Sequence, residues 1–404
     1  MREDVADRVD IQQWHVSPLL YQAMDPLLSY ALSKQNEIVA FLRELVECES
    51  PSDDPAAVRR FVDLFASKTA DIGKIRTFKA QRFGPHFRLE FKLPGRKKTG
   101  QILAIGHSDT VWPLGTLRTM PWREDGGRLW GPGVLDMKAG LAFFVFAMRA
   151  LRDLDIPVSD KVVLHVVSDE EVGSESSRPL TEEAAKQSRF VLVLEPGTGL
   201  EGKLKTARKG VGDYVLTVRG KASHAGVDFA GGASAILELA RQIERIAAFT
   251  DLERGITVNP GVISGGTRTN VVAAEARAEV DIRIARLKDE SYLDRKFRAL
   301  KPVDKRCSLE LTGGLNRPPL ERTAAIRKLF SRARGLAAGL GVTLEESSTG
   351  GGSDGNFTGA LGIPTLDGLG GVGEGAHASN ESILIDRIAD RTALMAKLVA
   401  EAPQ

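Results

Sequence analysis

Residues 102–109 of this 404-residue chain read ILAIGHSD, a short apolar run that leads directly into His107 and Asp109. Two later stretches have the same form, VVLHVVSDEE at residues 162–171 and VLVLEP at residues 191–196. Short apolar runs rich in β-formers predict buried strands of a parallel sheet. Because sites in open α/β sheets form just past the carboxyl ends of such strands, the acids and the histidine found there predict a metal centre.

Composition narrows the class of protein. The chain has 55 Lys and Arg against 53 Asp and Glu, so charge gives no general case for nucleic acid or a membrane as partner. The short basic stretch at residues 203–209 predicts a solvated face. The sequence has no window long enough to span a bilayer and no apolar core of a signal peptide. Cys48 and Cys307 stand far apart, so we expect a reduced, cytoplasmic protein without disulfides.

The order of the predicted elements indicates two domains. An apolar helix at residues 138–154 joins two of the strands, which is typical of βαβ units and of a mostly parallel sheet with helices on both faces. Later elements follow the order β-α-β-β-α-β, the ferredoxin-like unit. We therefore predict an α/β main domain over residues 1–209 and 319–404, into which a ferredoxin-like domain of residues 210–318 is inserted.

Residues of the types that bind zinc lie on five separate segments. Zinc accepts imidazole nitrogen and carboxylate oxygen, and two ions need a bridging carboxylate with about two further ligands each. The candidate ligands are His107, Asp136, Glu171, Glu195 and His377. Taken singly, each of these residues could be an ordinary loop residue. Together they favour a binuclear site, because the chain has only six histidines and their occurrence at these places by chance is less expected. His165, inside an apolar run, is expected in the core.

Two further acids beside these candidates suit proton transfer and orientation. Glu170 and Glu171 are adjacent at a strand end, where one can bind a metal while the other faces the metal's water and acts as general base. Asp109 lies two residues after His107, and we expect its carboxylate to orient that imidazole. A strand-end cap is the alternative for Asp109.

At these residues the chain resembles the co-catalytic zinc peptidases, which include glutamate carboxypeptidases, acetylornithine deacetylase, succinyl-diaminopimelate desuccinylase and aminoacylases. The matching motifs occur in family order over most of residues 100–380. They are GHSDTV at 106–111, GPGVLDMK at 131–138, DEEVG at 169–173, EP at 195–196, GKASHAG at 220–226, GGSD at 351–354, and His377. The similarity is greatest to bacterial glutamate carboxypeptidases, whose fold is the zinc-exopeptidase type with an inserted dimerisation or lid domain.

The resemblance implies a role for each candidate ligand. Asp136 would bridge two zinc ions, with cobalt or manganese as alternative metals. His107 and Glu195 would complete one site, and Glu171 and His377 would complete the other. The peptide bond after the bridging aspartate would be cis.

Other residues receive roles in catalysis and substrate binding. Glu170 would be the general base, and His224 would reach across a homodimer to stabilise the oxyanion in the neighbour's site. Positions that hold the substrate's carboxylate in relatives are occupied by Asn270, Arg283, Gly352 and Ser353, and Arg317 is a further candidate. Arginine suits a carboxylate because its fork donates two parallel hydrogen bonds. A surface salt bridge is the alternative for either arginine, and a hairpin turn is the alternative for Asn270.

The implied reaction is metal-dependent hydrolysis of a peptide or N-acyl amide bond next to a free carboxylate, in the manner of a carboxypeptidase. A glutamate at position 195 supports this weakly, since the family's aminopeptidases tend to carry aspartate there. One alternative is an N-acyl-amino-acid deacylase. A catalytically inactive binding module on the same scaffold is another, but it would need a missing ligand or base, and none is missing. The substrate would be a small peptide or an N-acyl amino acid.

Overall fold

The computed structural model describes residues 24–402, and it contains both helices and strands along this range. In this part of the chain the α-helices are α1 (Pro26–Ser33), α2 (Gln35–Glu47), α3 (Pro55–Thr69), α4 (Ala139–Asp153), α5 (Arg178–Lys186), α6 (Ala235–Ala247), α7 (Glu290–Arg298), α8 (Ala324–Gly339), α9 (Gly355–Ala360) and α10 (Ile388–Ala400). None of the helices described is long and apolar enough to cross a membrane. Residues 1–23, to which the expectation about a signal peptide refers, lie outside the described residues.

The strands in the described part of the chain belong mostly to one of two larger sheets. They are β1 (Gly73–Phe78), β2 (His86–Phe91), β3 (Gln101–His107), β4 (Arg123–Asp125), β5 (Arg128–Trp130), β6 (Lys161–Val167), β7 (Phe190–Val193), β8 (Leu204–Arg208), β9 (Gly210–Arg219), β10 (Thr257–Gly265), β11 (Glu275–Ile284), β12 (Ser308–Arg317), β13 (Glu346–Thr349), β14 (Thr365–Leu366), β15 (Gly373–Glu374) and β16 (Ser382–Leu384). The remaining strands form a β15-β16-β5-β4 sheet and a β13-β8 pair. Those strands are too short to show a pattern of alternation, so the sequence did not predict them.

The main sheet has the strand order β1-β2-β6-β3-β7-β14. Strand β3 pairs in parallel with both β6 and β7, and β7 pairs in parallel with β14. The antiparallel hairpin of β1 and β2 extends the sheet beyond β6. The prediction of an α/β fold with a mostly parallel sheet is confirmed.

Helices cover both faces of the main sheet. Successive residues of a strand point to opposite faces. Accordingly, Ile102 and Ala104 of β3 belong to the large apolar core that includes α2, α3, α4, α8 and α10. Leu103 and Ile105 belong to a smaller cluster with Ala184 of α5. Because the strand is buried on both sides, its sequence is continuously apolar rather than alternating.

Residues 210–317 form a second, antiparallel sheet in the order β10-β11-β9-β12. The element order is β-α-β-β-α-β, so the predicted ferredoxin-like unit is confirmed. Helices α6 and α7 share an apolar core with this sheet, in which Tyr214 stacks on Phe297. The chain enters and leaves at adjacent places, since the backbones of Arg208 and Leu320 exchange two hydrogen bonds of 3.0 Å. The boundaries of the inserted domain stay a prediction.

Candidate metal centre

The carboxyl ends of three neighbouring parallel strands carry four of the predicted site residues. His107 is the last residue of β3. Glu170 and Glu171 begin a short helical turn after β6, and Glu195 follows the end of β7 by two residues. Because β6, β3 and β7 are adjacent in the sheet, these side chains meet at one edge of it. His165 is fully buried within β6, as expected of a core histidine.

Asp136 reaches the same edge from the irregular turn Val134–Lys138, in which its own backbone is not helical, and His377 reaches it from a loop. Asp136 follows Gly133, whose φ of 73° lies in the left-handed region that favours glycine. The Asp136–Met137 peptide bond is cis, which confirms the expectation from the resemblance. His377 itself has a φ of 61° in the loop between β15 and β16.

The carboxylate of Asp136 lies between two histidines. Its Oδ1 is 3.2 Å from Nε2 of His107, and its Oδ2 is 3.4 Å from Nε2 of His377. Oε1 of Glu195 lies 3.5 Å from the first of these nitrogens. Oε2 of Glu171 lies 3.3 Å from the second. The five donors therefore form two groups that share Asp136.

These separations fit pairs of ligands on zinc. Two donors that each lie about 2.0–2.2 Å from a tetrahedral zinc ion are about 3.3–3.6 Å apart. Oε1 of Glu171 is buried and has no hydrogen-bond partner among the described residues, so it has a lone pair to offer a cation. The donor types and their spacing together fit two divalent ions.

The pKa values of His377 and Asp136 also support a site for divalent cations. Hydrogen bonds to Asp136 and Glu171 raise the pKa of His377 to about 10. Burial alone would raise the pKa of Asp136, yet its hydrogen bonds with His107 and His377 hold that pKa well below its usual range. A carboxylate that attracts protonated imidazoles as strongly as Asp136 does would also attract a divalent cation. Burial raises the pKa of Glu170 well above its usual range.

Asp109 connects His107 to the turn that carries both glutamates. The backbone oxygen of Asp109 lies 2.9 Å from Nδ1 of His107, whereas its nearest carboxylate oxygen is 3.6 Å away. The carboxylate instead accepts hydrogen bonds from the backbone N–H groups of Glu170 and Glu171, at 3.3 and 3.2 Å, and from the hydroxyl of Ser52. The carbonyl is thus the closer partner of the imidazole, and the carboxylate fixes the turn.

Glu381 is a fully buried residue that the sequence analysis did not assign to the site. Its carboxylate accepts hydrogen bonds of 2.9–3.0 Å from the backbone N–H groups of Gly133, Leu135 and Asp136. A fourth hydrogen bond, of 2.8 Å, comes from Nε1 of Trp112. Glu381 therefore holds the loop that presents the shared carboxylate. In the sequence, the one indication of this role is that Glu381 lies shortly after His377, the last predicted ligand.

A cleft beside the candidate metal ligands is lined by three of the predicted substrate-binding residues. The cleft has a volume of about 320 Å³, and its lining includes Glu170, Glu171, Arg283, Arg317 and Gly352. Clefts of about 300–1,000 Å³ are typical of small-molecule sites. The two arginines differ in exposure, because 30% of the Arg283 side chain is exposed but only 6% of the Arg317 side chain.

Other predicted site residues do not line this cleft. Ser353 is buried, and its hydroxyl donates a hydrogen bond of 2.7 Å to Asp367. His224 and Asn270 lie together in exposed loops of the ferredoxin-like unit, where the carbonyl of Asn270 accepts a hydrogen bond from the N–H of Ala225. Nδ1 of His224 accepts hydrogen bonds from two backbone N–H groups of its own loop. Their roles stay predictions.

The basic stretch at residues 203–209 is not the solvated face that we expected, because Lys205 and Arg208 are buried. The guanidinium of Arg208 donates two hydrogen bonds, of 2.7 and 2.8 Å, to the carboxylate of Asp367. It donates another to the carbonyl of Gly352. The expectation was wrong for these two residues because hydrogen-bond acceptors inside the fold replace water around the charges.

The chain is similar to known proteins over most of its length. The model described as Peptidase family M20/M25/M40 matches residues 103–401. Carboxypeptidase G2 of Pseudomonas sp. (strain RS-16) is 27% identical over 382 residues, which cover 93% of this chain and 91% of that protein.

Solved structures show the same fold. The aminopeptidase PepT from Bacillus cereus ATCC 10987 has a TM-score of 0.73 at 23% identity, over 91% of this chain and 98% of that one. The M20 family metallo-carboxypeptidase Sso-CP2 from Sulfolobus solfataricus also has a TM-score of 0.73, at 17% identity, over 90% and 99% of the two chains. Since the family model matches well over half of the sequence, the chain belongs to peptidase family M20/M25/M40.

Proposed function

We propose that this protein is a binuclear metallopeptidase that hydrolyses a peptide or N-acyl amide bond next to a free carboxylate, with release of a C-terminal residue as its main activity. The observation that carries the proposal is the carboxylate of Asp136, whose two oxygens face two separate groups of metal-type donors. The similarity to carboxypeptidase G2 along nearly the whole chain supports the choice of carboxypeptidase.

Five side chains would hold the two ions, which we propose are zinc. Asp136 would bridge them, His107 and Glu195 would hold one, and Glu171 and His377 would hold the other. Cobalt and manganese accept the same types of donor. When bound, such ions supply Lewis-acid chemistry, which makes a water more acidic and polarises the scissile carbonyl.

Glu170 would move the protons of the reaction. A carboxylate oxygen of Glu170 lies within 4.8 Å of donor atoms of His107 and Glu195. The carboxylate would accept a proton from the attacking water and pass it to the nitrogen of the leaving amine as the C–N bond breaks. These distances alone would also admit Glu170 as a ligand. Its Oε1 already accepts a hydrogen bond of 2.9 Å from Arg317, however, which competes with a metal for that oxygen and favours the role of base.

Arg283 is the residue that we propose for the substrate's carboxylate. It lines the cleft next to Glu170, and its side chain is partly exposed. Its present partner is the carboxylate of Asp281, at 2.7 Å, which is itself 41% exposed. Such exposed pairs contribute little, about 0–1 kcal/mol, so the fork of Arg283 can exchange this partner for a substrate carboxylate.

We further propose a homodimer that forms through the ferredoxin-like unit. Strand β10 is an edge strand of that unit's sheet. Apolar side chains of the same unit are exposed, with values of 82% for Val227, 67% for Phe229 and 65% for Ile263. An open strand edge and exposed apolar side chains favour contact with a second chain. His224 is also exposed there, so a two-fold partner would carry it to the other subunit's site, where it would stabilise the oxyanion.

A cytoplasmic location is the last part of the proposal. The two cysteines, Cys48 and Cys307, are both free thiols. Free thiols are typical of proteins in reducing compartments, whereas secreted proteins more often carry disulfides.

A substrate panel tests the proposed activity. It contains alanyl dipeptides that end in Glu, Leu or Lys, the C-terminal amides of the same dipeptides, and N-acetyl and N-succinyl amino acids. We expect the zinc-loaded protein to release the C-terminal residue from the free acids and to leave the amides nearly intact. Preferred cleavage of the N-acyl amino acids would instead identify a deacylase. A zinc-loaded protein that cleaves no member of the panel would favour the inactive binding module.

The control for this panel is Glu170→Gln, purified in parallel. This variant keeps the shape of the side chain but removes the base. Any hydrolysis that it shares with the wild type comes from contaminating peptidases and is subtracted.

A further inference from the structure

Arg317 is the last residue of β12, and its guanidinium holds Glu170 at two points. Nη2 donates a hydrogen bond of 2.8 Å to the backbone carbonyl of Glu170 and one of 2.9 Å to Oε1 of the same residue. Nη1 donates a hydrogen bond of 3.1 Å to Oδ1 of Asp354. The guanidinium thus lies between the buried carboxylate of Asp354 and the largely buried carboxylate of Glu170, and both ends of its fork are occupied.

Further contacts fix the guanidinium in this position. The hydroxyl oxygen of Ser174 accepts hydrogen bonds from both Nη atoms and donates one of 2.5 Å to Asp354. The ring of Phe357 lies against the guanidinium, with its centroid 4.9 Å from Cζ. A Cβ atom at Gly352 would lie 2.9 Å from Cδ of Arg317, so the loop packs closely along the side chain. A turn of Arg317 towards the cleft would break these contacts.

The two arginines of the cleft therefore have different surroundings. Arg283 pairs with the partly exposed carboxylate of Asp281, and losing that pair costs little because water can solvate both groups. Arg317 pairs with Glu170, whose side chain is 12% exposed. Moving Arg317 onto a substrate would leave this carboxylate unpaired in a buried place, which is strongly unfavourable.

We infer that Arg317 is a positioning residue that orients the carboxylate of Glu170, and that it does not bind the substrate's carboxylate. The inference rests on the proposed function, in which Glu170 is the general base. Because one guanidinium holds the main-chain and side-chain oxygens of the same residue, the carboxylate has its orientation before the substrate arrives. Displacement of a catalytic group by about 1 Å costs about 10²-fold in rate.

The variant Arg317→Lys tests this role through the separation of kcat from KM. Lysine keeps the charge but lacks the planar fork, so it cannot hold both oxygens of Glu170. For the dipeptide of the panel that is cleaved best, we expect kcat to fall about 10²-fold and KM to stay within about threefold of wild type. A variant with normal kcat, or one whose loss lies mainly in KM, would overturn the inference.

The matched control is Arg277→Lys. Arg277 lies on the same sheet and pairs at 3.0 Å with Glu279, and both side chains are nearly half exposed. We expect its kcat and KM to equal those of the wild type. Thermal unfolding and zinc content are measured for both variants. A loss of kcat in a folded variant with full zinc content supports the inference, and a loss that follows from missing zinc would overturn it.

The affinity of an inactive variant for the substrate shows whether Arg317 orients Glu170 or binds the substrate's carboxylate. The affinity for the same dipeptide is measured by calorimetry on zinc-loaded Glu170→Gln and on zinc-loaded Glu170→Gln/Arg317→Lys. We expect equal affinities, because Arg317 does not contact the dipeptide. A loss of affinity of about tenfold or more upon adding Arg317→Lys would show that Arg317 binds the substrate.

If Arg317→Lys does not fold, Ser174→Ala serves in its place, because it removes the hydroxyl that joins Arg317 to Asp354. We again expect a loss in kcat with KM unchanged, and a rise in KM alone would overturn the inference. A wild-type protein that neither cleaves nor binds any member of the panel would contradict the proposed function and this inference with it. An active wild type with a fully active Arg317→Lys would contradict the inference alone.

Discussion

The carboxylate of Glu381 accepts a hydrogen bond of 3.0 Å from the backbone N–H of Asp136. It also accepts the N–H groups of Gly133 and Leu135, so one buried acid fixes the segment that presents the shared carboxylate. A bridging carboxylate must face two groups of donors at once. A small rotation of its backbone would therefore misplace one oxygen or the other.

Glu381→Gln should weaken metal binding although it removes no proposed ligand. Glutamine has only one acceptor oxygen, and its amide nitrogen would face backbone N–H donors, leaving buried groups unpaired. Residues that orient metal ligands typically contribute about 10–100-fold in metal affinity. Competition with a zinc chelator measures the change, and Glu310→Gln, on an exposed side chain, is the control. Equal zinc affinities for Glu381→Gln and wild type would show that the loop does not need this carboxylate.

Asp136→Asn should lower both metal content and activity. An amide oxygen cannot replace the second charged oxygen, so the variant cannot bridge two cations. Metal analysis of the purified variant and its rate on the best dipeptide of the panel provide the two readouts. Full metal occupancy with a normal rate would exclude the bridging role.

Replacing Glu170 should affect turnover alone, whereas replacing Glu171 should affect both turnover and metal binding. Glu170→Ala should keep both metals and lose turnover by about 10²–10⁴-fold, the usual effect of removing a general base. Glu171→Ala should also lose affinity for one metal, because its Oε2 lies beside Nε2 of His377. Zinc titration and steady-state kinetics on both variants compare these effects. An exchange of the two phenotypes would reverse the assignment.

Some features of this molecule could be predicted from local sequence, and others could not. The continuously apolar run of β3 predicts burial on both faces of the sheet. Acids and histidines that follow the end of a strand predict a site at the sheet edge. The contacts of Arg317 gave no such local signal, because its partner Glu170 is 147 residues away in the sequence. The partner of Arg208, Asp367, is 159 residues away. A charge whose partner is so distant looks solvated in the sequence even when it is buried.

His224 should act in the partner's site if the proposed dimer is correct. Loss of an oxyanion donor costs about 10²–10³-fold, so homodimers of His224→Ala and of Glu170→Ala should both be nearly inactive. Unfolded and refolded together in equal amounts, about half of the dimers should be hybrids with one intact shared site, and activity should return to roughly a quarter of wild type. No recovery in a mixture shown to exchange subunits would place His224 outside the partner's site.

The number of zinc ions bound per chain shows whether Asp136 is shared by two metals. Metal is removed with a chelator, zinc is added back in steps, and bound zinc and dipeptide hydrolysis are measured on the same samples. Because Asp136 faces two groups of donors, we expect binding to saturate at two ions per chain, and we expect hydrolysis to be absent without metal and to return as zinc binds. Saturation at a single ion per chain, or full hydrolysis by the metal-free protein, would contradict this expectation.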